Sequence, residues 1–147
     1  NGTLGGVVDI AAGAAHTMLL LGNKTMWIVG DNTEKQLGVD TTKDGNTYTA
    51  TIVEVDLPVD ANSSTGDKVE AAALSAGPYN SAFMTADGRA FVWGNNQYYQ
   101  VLNDAAGEKV SLVSQINIPN ETSGIVDLQF GGSRSAQTHI AALTDRR

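Results

Sequence analysis

Hydrophobic residues occur in short runs of strand length that glycines and polar residues separate. "HTMLLL" and "MWIVG" form one pair of runs, and "NSAFM" and "AFVWG" form a second pair. Asp87-Gly88 lies between the runs of the second pair, and Gly22-Asn23 takes the equivalent place in the first. Dipeptides of this kind favour tight hairpin turns. The pattern therefore predicts an all-β protein, and no stretch of the chain convincingly predicts a helix.

The same order of residue types occurs twice in register. Gly13 and Gly30 recur at the same separation as Gly77 and Gly94. Further matched positions are His16 with Asn80, Val29 with Trp93, Asn32 with Asn96, and Gln36 with Gln100. A third copy begins at Ile125, includes His139 and lacks its second half. We therefore predict a single repeat region over residues 1–147, with repeats at about 7–68, about 69–124 and, in part, about 125–147.

The segments "AAGAAHTMLLL", "GDNTEKQLG" and "ADGRAFVWGNNQYYQ" resemble the repeat of the regulator of chromosome condensation (RCC1) family. The resemblance covers most of the chain outside the inserted loops, and it implies a β-propeller of four-stranded blades. The chain departs from the family pattern at Val29, where the family has Trp, at Asn80, where it has His, and at Tyr99, where it has Gly.

The number of repeats is small for a propeller. Propellers close with about four to eight blades, whereas the chain supplies about two and a half repeats. Three arrangements remain open. The chain is part of a longer propeller, several copies complete a ring together, or open blades pair at their edges in an extended assembly.

Composition limits the classes of partner and chemistry. The net charge is −7 and the pI is about 4.5, with Lys and Arg scattered along the chain. This charge argues against nucleic acid and against an anionic membrane as partners. No run approaches the roughly 20 apolar residues of a membrane helix. The absence of cysteine excludes disulfides, zinc–thiolate sites and thiol catalysis.

Nothing in the sequence predicts a catalytic, cofactor or metal site. No motif for a nucleotide, a nucleophile or a metalloprotease occurs in a suitable context, so we predict a non-enzyme without a cofactor. His16 and His139 are interpreted as partly buried imidazoles whose nitrogens meet backbone groups, since a metal would need more convergent ligands. The segment 40–46 resembles a calcium loop only faintly and is interpreted as a solvated loop.

The repeated polar and aromatic residues are interpreted as structural. The side-chain amides of Asn32, Gln36, Asn96 and Gln100 are predicted to hold the loops between blades. Trp27, Phe91 and Trp93 are predicted to belong to the core between blades rather than to a sugar-binding platform. Tyr98 and Tyr99 are instead the candidates for contact with a partner, because they break the repeat pattern and interfaces favour tyrosine.

Four Asn-x-Ser/Thr sequons suggest attached sugar. They lie at Asn1, Asn23, Asn62 and Asn120, against roughly two expected by chance from this composition. All four fall at turns, loops or the terminus, although asparagine favours turns in any case. With the acidic surface and the absence of cysteine, they favour N-linked glycans and an extracellular or cell-surface setting. A cytoplasmic setting is the alternative.

The sequence therefore predicts a non-catalytic protein-interaction or scaffold module, whose partner is another protein or other copies of itself. The RCC1 resemblance implies two alternatives, which are nucleotide exchange on small GTPases and inhibition of bacterial hydrolases by binding. Exchange is disfavoured because nothing beyond the repeat matches an exchange surface. A third alternative is a propeller that binds carbohydrate through Trp and Tyr.

Overall fold

The computed structural model describes residues 5–39, 47–101, 110–116, 124–133 and 138–145. These residues form ten strands: β1 (Val7–Ala12), β2 (His16–Leu21), β3 (Met26–Asp31), β4 (Tyr48–Glu54), β5 (Ala73–Ala76), β6 (Asn80–Met84), β7 (Ala90–Gly94), β8 (Val110–Gln115), β9 (Ile125–Gly131) and β10 (His139–Thr144). No helix occurs in these ranges, so none there is long and apolar enough to cross a membrane. The prediction of an all-β fold is confirmed.

The strands form three antiparallel sheets. β1 to β4 make a first four-stranded blade, β5 to β8 make a second, and β9 and β10 pair as the described part of a third. The blades meet through their first strands, because β1 contacts β5 and β5 contacts β9. The two hairpin turns that the dipeptides predicted connect β2 to β3 and β6 to β7.

The second blade lies between the other two and is enclosed on both faces. Every residue of β7 is buried, as are four of the five residues of β6. No residue of β1 or of β10 is fully buried, so the first and third blades each leave one face open. A β-sheet buries its apolar side chains only against another layer, which explains why the central blade carries the densest core.

Three aromatic rings form the centre of that core. Phe83 and Phe91 stack with their ring centroids 4.7 Å apart, and Trp93 meets Phe83 edge-on at 6.3 Å. Such pairs contribute about 0.5–1.5 kcal/mol beyond the burial of their surface. The Phe91 and Trp93 rings are enclosed by protein and offer no platform for a sugar. Trp27 is half-buried, and its Nε1 donates to Oγ1 of Thr25 at 3.0 Å.

A glycine lies at the end of the third strand of each complete blade, as the last residue but one of β3 (Gly30) and as the last residue of β7 (Gly94). Gly30 and Gly94 have φ angles of 121° and 112°. A Cβ at either position would overlap a backbone carbonyl oxygen, that of Ala15 or that of Tyr79. The register of the sheet also shifts at both glycines. The repeated glycine is therefore required by conformation and by space at once.

Arg89 fixes the connection between the first and second blades. Its Nη1 and Nη2 donate to the two carboxylate oxygens of Asp60 at 2.9 and 2.7 Å, and its Nε donates to Asp87. These bonds lower the pKa of both carboxyl groups. Because Asp60 lies in the connection and Arg89 follows the β6–β7 turn, a bidentate ion pair ties the connection to the second blade.

Candidate functional site

Asn32 and Gln36 close the loop that follows β3, which we term the first corner loop (residues 31–38). Oδ1 of Asn32 accepts from the Leu37 amide at 3.0 Å, and its Nδ2 donates to the Val39 carbonyl at 3.0 Å. Oε1 of Gln36 accepts from the Glu34 amide at 2.8 Å. Both side chains are buried. Their hydrogen bonds substitute for the backbone pairs that a loop lacks.

The second corner loop (residues 95–101), which follows β7, repeats this arrangement. Oδ1 of Asn96 accepts from the Val101 amide at 3.0 Å. Oε1 of Gln100 accepts from the Tyr98 amide at 2.8 Å, and its Nε2 donates to Oδ1 of Asn95 at 3.0 Å. Asn96 and Gln100 are buried as well. Buried and hydrogen-bonded amides hold both corner loops in one conformation.

The first corner loop also bonds to the second blade, across a contact that we term the seam. The Gln36 carbonyl accepts from Oγ of Ser81 at 2.7 Å and from Nε1 of Trp93 at 2.8 Å. Nδ2 of Asn95 donates to Oε2 of Glu34 at 2.6 Å. The two corner loops therefore lie side by side. Sequence reasoning missed Ser81, Glu34 and Asn95, because nothing in the repeat pattern indicates bonds between copies.

His16 completes the seam, and the network assigns its protonation. Its Nε2 lies 2.9 Å from Oγ of Ser81. The Ser81 hydroxyl has one hydrogen, which goes to the Gln36 carbonyl because a carbonyl can only accept. Nε2 must therefore carry the proton, and Nδ1 is a buried acceptor without a hydrogen-bond partner. The partner of Nε2 is therefore the Ser81 side chain rather than the backbone group that the sequence predicts.

Burial keeps His16 neutral. It lowers the pKa of His16 from 6.5 to about 4, although the Asp31 carboxylate and the Asn80 backbone partly oppose the shift. The unfolded chain therefore binds the proton more tightly than the folded chain between these two values. The part of the folding stability that depends on neutral His16 is fully present above pH 6.5 and is lost as the pH decreases toward 4. The slope is about 1.4 kcal/mol per pH unit.

We expect the His16→Asn variant to lose this part of the acid sensitivity. Asparagine is the residue that the second repeat carries at the matched position, Asn80, so the fold accommodates it there. Urea unfolding of both proteins across the range from pH 7 to pH 5 should show wild type losing about 2 kcal/mol more than the variant. Parallel curves for the two proteins would mean that His16 does not titrate on unfolding.

Asn80 and His139, which match His16 in the second and third repeats, lie in different surroundings. Asn80 is 0 % exposed, its Nδ2 donates to the Asn95 carbonyl at 2.7 Å, and its Oδ1 has no hydrogen-bond partner. His139 begins β10 and is exposed, since the described residues leave the outer face of the third blade open, so the prediction of a partly buried imidazole is wrong at this position. Each histidine lies where a Cβ on the nearby glycine, Gly13 or Gly131, would overlap its ring.

Gly13 and Gly77 allow the first strands of neighbouring blades to approach each other. A Cβ at Gly13 would overlap the Gly77 carbonyl oxygen as well as the His16 ring, and one at Gly77 would lie 2.9 Å from Cγ of Phe130 in β9. The predicted repeat positions thus lie together at the contacts between blades and in the corner loops. They do not form a cleft around a ligand.

Tyr98 and Tyr99 stand outside these networks as exposed side chains. They are 55 % and 57 % exposed, at the tip of the second corner loop. The Tyr98 amide is bonded to Gln100, and the Tyr99 amide donates to the Asn96 carbonyl at 3.2 Å. The backbone beneath both rings is therefore fixed, while the rings themselves face solvent.

Two of the four sequons fall within the described residues, and Asn1 and Asn120 lie outside them. Asn23 and Asn62 are both exposed at turns. Oδ1 of Asn23 accepts from the amide and the hydroxyl of Thr25 at 3.1 and 2.8 Å. Over the described ranges, no three His, Asp or Glu side chains converge as ligands for a metal ion. The segment 40–46 is not among those ranges.

The repeat matches a known family. The model of the regulator of chromosome condensation (RCC1) repeat matches residues 7–36 and 71–100. The chain carries two RCC1 repeats. Each covers the first three strands and the corner loop of one complete blade, up to Gln36 in the first and Gln100 in the second. The residues that form the seam between these blades therefore come from the repeats themselves.

Curated relatives match over part of their length. The regulator of chromosome condensation of Xenopus laevis is 32 % identical over 117 residues, which cover 77 % of this chain and 25 % of the relative. The human X-linked retinitis pigmentosa GTPase regulator is 33 % identical over 91 residues, covering 62 % of this chain and 8 % of the relative. The chain thus spans a quarter or less of the length of these two relatives.

Solved structures confirm the fold. Human WBSCR16 superimposes with a TM-score of 0.75 at 19 % identity, covering 96 % of this chain and 31 % of that one. Yeast RCC1 (Prp20), solved bound to Kap60, gives a TM-score of 0.68 at 18 % identity, covering 99 % of this chain and 32 % of that one. The three sheets are therefore blades of an RCC1-type β-propeller, and the predicted fold is confirmed.

Proposed function

We propose that the chain is a non-catalytic protein-interaction module in which the RCC1-type blades present the second corner loop to a protein partner. The observation that carries the proposal is the exposure of two adjacent tyrosines on a loop whose backbone is fixed from beneath. The backbone of that loop needs little further ordering on binding, because Asn96 and Gln100 already hold it. Tyrosine supplies a large contact area with few rotatable bonds, and interfaces are enriched in it.

A photo-crosslinking residue in place of Tyr98 tests this proposal. The chain carrying the crosslinker is irradiated in an extract of its native cells, and the adducts are identified by mass spectrometry. We expect a protein adduct that unlabelled wild-type chain suppresses and that the Tyr98→Ala chain suppresses poorly.

The matched control places the same crosslinker at Lys24, which is exposed on the β2–β3 turn. That turn lies at the opposite end of the blade from the corner loops. The proposal requires an adduct that forms from position 98 and not from position 24. The same adducts from both positions, or adducts that wild-type chain does not suppress, would contradict it.

Regulation of a small GTPase is a second candidate, which the name of the human GTPase regulator favours. Release of a labelled guanine nucleotide from a small GTPase distinguishes the two candidates. An interaction module leaves the rate of release unchanged, whereas an exchange factor raises it in proportion to its concentration. Because the chain spans only 8 % of that relative, the assay tests this chain and not the activity of the whole relative.

Self-association is a further part of the proposal. The open faces of the first and third blades support it, since β1 exposes Val8 and Ile10 and β10 exposes Leu143. Sedimentation of the purified chain over a range of concentrations should show a species larger than 15.4 kDa. A monomer at every concentration would leave a separate protein as the partner.

N-linked glycans and the extracellular setting depend mainly on the sequons. The exposed turns at Asn23 and Asn62 support them, because a glycan needs an accessible acceptor. A peptide map of native protein that shows both asparagines unmodified would remove this support and favour the cytoplasmic alternative.

A further inference from the structure

The backbone of Tyr99 is left-handed, with a φ angle of 60°. Lys35, at the matched position of the first corner loop, has a φ angle of 65°. The repeated loop therefore imposes this conformation in both blades. Side chains disfavour it, glycine adopts it freely, and a bulky residue there is unusual. Position 99 therefore carries a tyrosine in a backbone conformation that favours glycine.

A strained residue persists only where its surroundings determine its conformation, and such residues cluster at functional sites. The buried amides of Asn96 and Gln100 determine it here. The ring of Tyr99 contributes little to packing, because the residue is 57 % exposed. Matched amides hold the same backbone conformation around Lys35 in the first corner loop, so the amides explain the φ angle of Tyr99 but not its aromatic ring. We infer that the ring serves a contact outside the fold.

The negative net charge of the chain favours a cationic partner. The chain carries 16 acidic and 9 basic side chains, for a net charge of −7. The Glu34 carboxylate lies beside the second corner loop, since it accepts from Asn95. A negative surface attracts cations and speeds their association. The aromatic face of tyrosine also attracts a cation, and arginine most often, because its planar guanidinium can stack on the ring.

We propose that Tyr98 and Tyr99 dock an arginine-bearing segment of a protein partner, with the guanidinium groups against the phenol rings. This inference depends on the proposed interaction function and names the chemistry of the partner. The second corner loop supplies two rings on a fixed backbone, and the acidic surface attracts the cation. The unfavourable backbone conformation of Tyr99 is then tolerated because binding of the partner requires its ring.

Binding of a labelled peptide of four Arg-Gly pairs tests the proposal by fluorescence anisotropy at about 150 mM salt, where long-range attraction between exposed charges is screened. Peptides of four Lys-Gly pairs and four Glu-Gly pairs are the comparisons. We expect the arginine peptide to bind more tightly than the lysine peptide and the glutamate peptide not to bind. Tyr98→Ala and Tyr99→Gly should each weaken binding of the arginine peptide about five- to tenfold.

The left-handed conformation of Tyr99 provides variants that remove the ring without destabilising the fold. Tyr99→Gly removes the ring and relieves the left-handed residue, so this variant should unfold at a urea concentration no lower than wild type. Tyr99→Asn serves the same purpose, because asparagine tolerates the conformation. Lys35→Gly relieves the matched residue of the first loop without removing a ring, and it should not weaken binding.

Three results would overturn the inference. The first is equal binding of the arginine peptide by wild type and Tyr99→Gly, which would leave net charge as the whole attraction. The second is equal binding of the arginine and lysine peptides, and the third is no binding of either. A crosslinked partner at position 98 together with any of these results would retain the interaction function and reject arginine as its chemistry.

Discussion

The Gly94→Ala variant should be destabilised by about 3–5 kcal/mol, a large share of the stability of a domain of this size. Two effects add at this position. The φ angle of 112° disfavours any side chain. The new methyl group would also overlap the Tyr79 carbonyl oxygen and lie 2.9 Å from Cα of Asn80. Both obstacles are backbone atoms, which cannot move aside as the end of a flexible side chain can.

Two other glycines separate the effects of conformation and space. Gly66 has a φ angle of 80° with no atom near its added Cβ, and Gly6 has neither a positive φ nor a near neighbour. Urea unfolding should rank the alanine variants with Gly6→Ala near wild type, Gly66→Ala lower by about 1 kcal/mol, and Gly94→Ala far lower. A Gly94→Ala variant no less stable than Gly66→Ala would show that the backbone around Gly94 can shift to accommodate the methyl group.

The strands and their repetition could be predicted because their signals are local. Short apolar runs, the Asp87-Gly88 turn and the recurring glycines each depend on a few neighbouring residues. Gly94 illustrates this, since its place after a strand predicts a turn without any knowledge of what lies opposite. The same local signals cannot show that the Tyr79 carbonyl lies opposite, because that contact depends on the path of the neighbouring strand.

The seam could not be predicted, because it joins residues that are distant in sequence. His16 and Ser81 are 65 residues apart, and Gln36 and Trp93 are 57 apart. Repetition identified His16, Gln36 and Trp93 as important but gave each copy the same role. The copies differ because burial differs, since the second blade has neighbours on both faces. His16 and His139 match in sequence, yet only the former is buried.

The candidate contact surface was indicated by a departure from the pattern. Tyr98 and Tyr99 stand where the repeat has no need of aromatic residues, and that contrast alone predicts a role outside the fold. The sequence could not show the φ angle of Tyr99. That angle distinguishes a merely exposed tyrosine from one that occupies a glycine's conformation, and it gives the variant Tyr99→Gly its value as a test.

The Trp93→Ala variant should lose about 3–5 kcal/mol of stability, the usual effect of removing a fully buried large side chain. The indole is 0 % exposed, contacts the ring of Phe83 and donates to the Gln36 carbonyl across the seam. Its removal leaves a cavity in the central blade and one bond fewer between blades. Urea unfolding followed by far-ultraviolet circular dichroism measures the loss without depending on tryptophan fluorescence.

Two further variants show whether the seam or the cavity dominates. Trp93→Phe keeps most of the ring and removes the donor, so it isolates the loss of the bond to Gln36, which we expect to cost about 1–2 kcal/mol. Trp27→Ala removes the same side chain from a half-buried position in the first blade and should cost less than Trp93→Ala. If Trp93→Phe were as unstable as Trp93→Ala, the hydrogen bond across the seam would hold the blades together. If it were as stable as wild type, burial of the ring in the second blade would account for the whole effect, and the blades would adhere through their apolar faces.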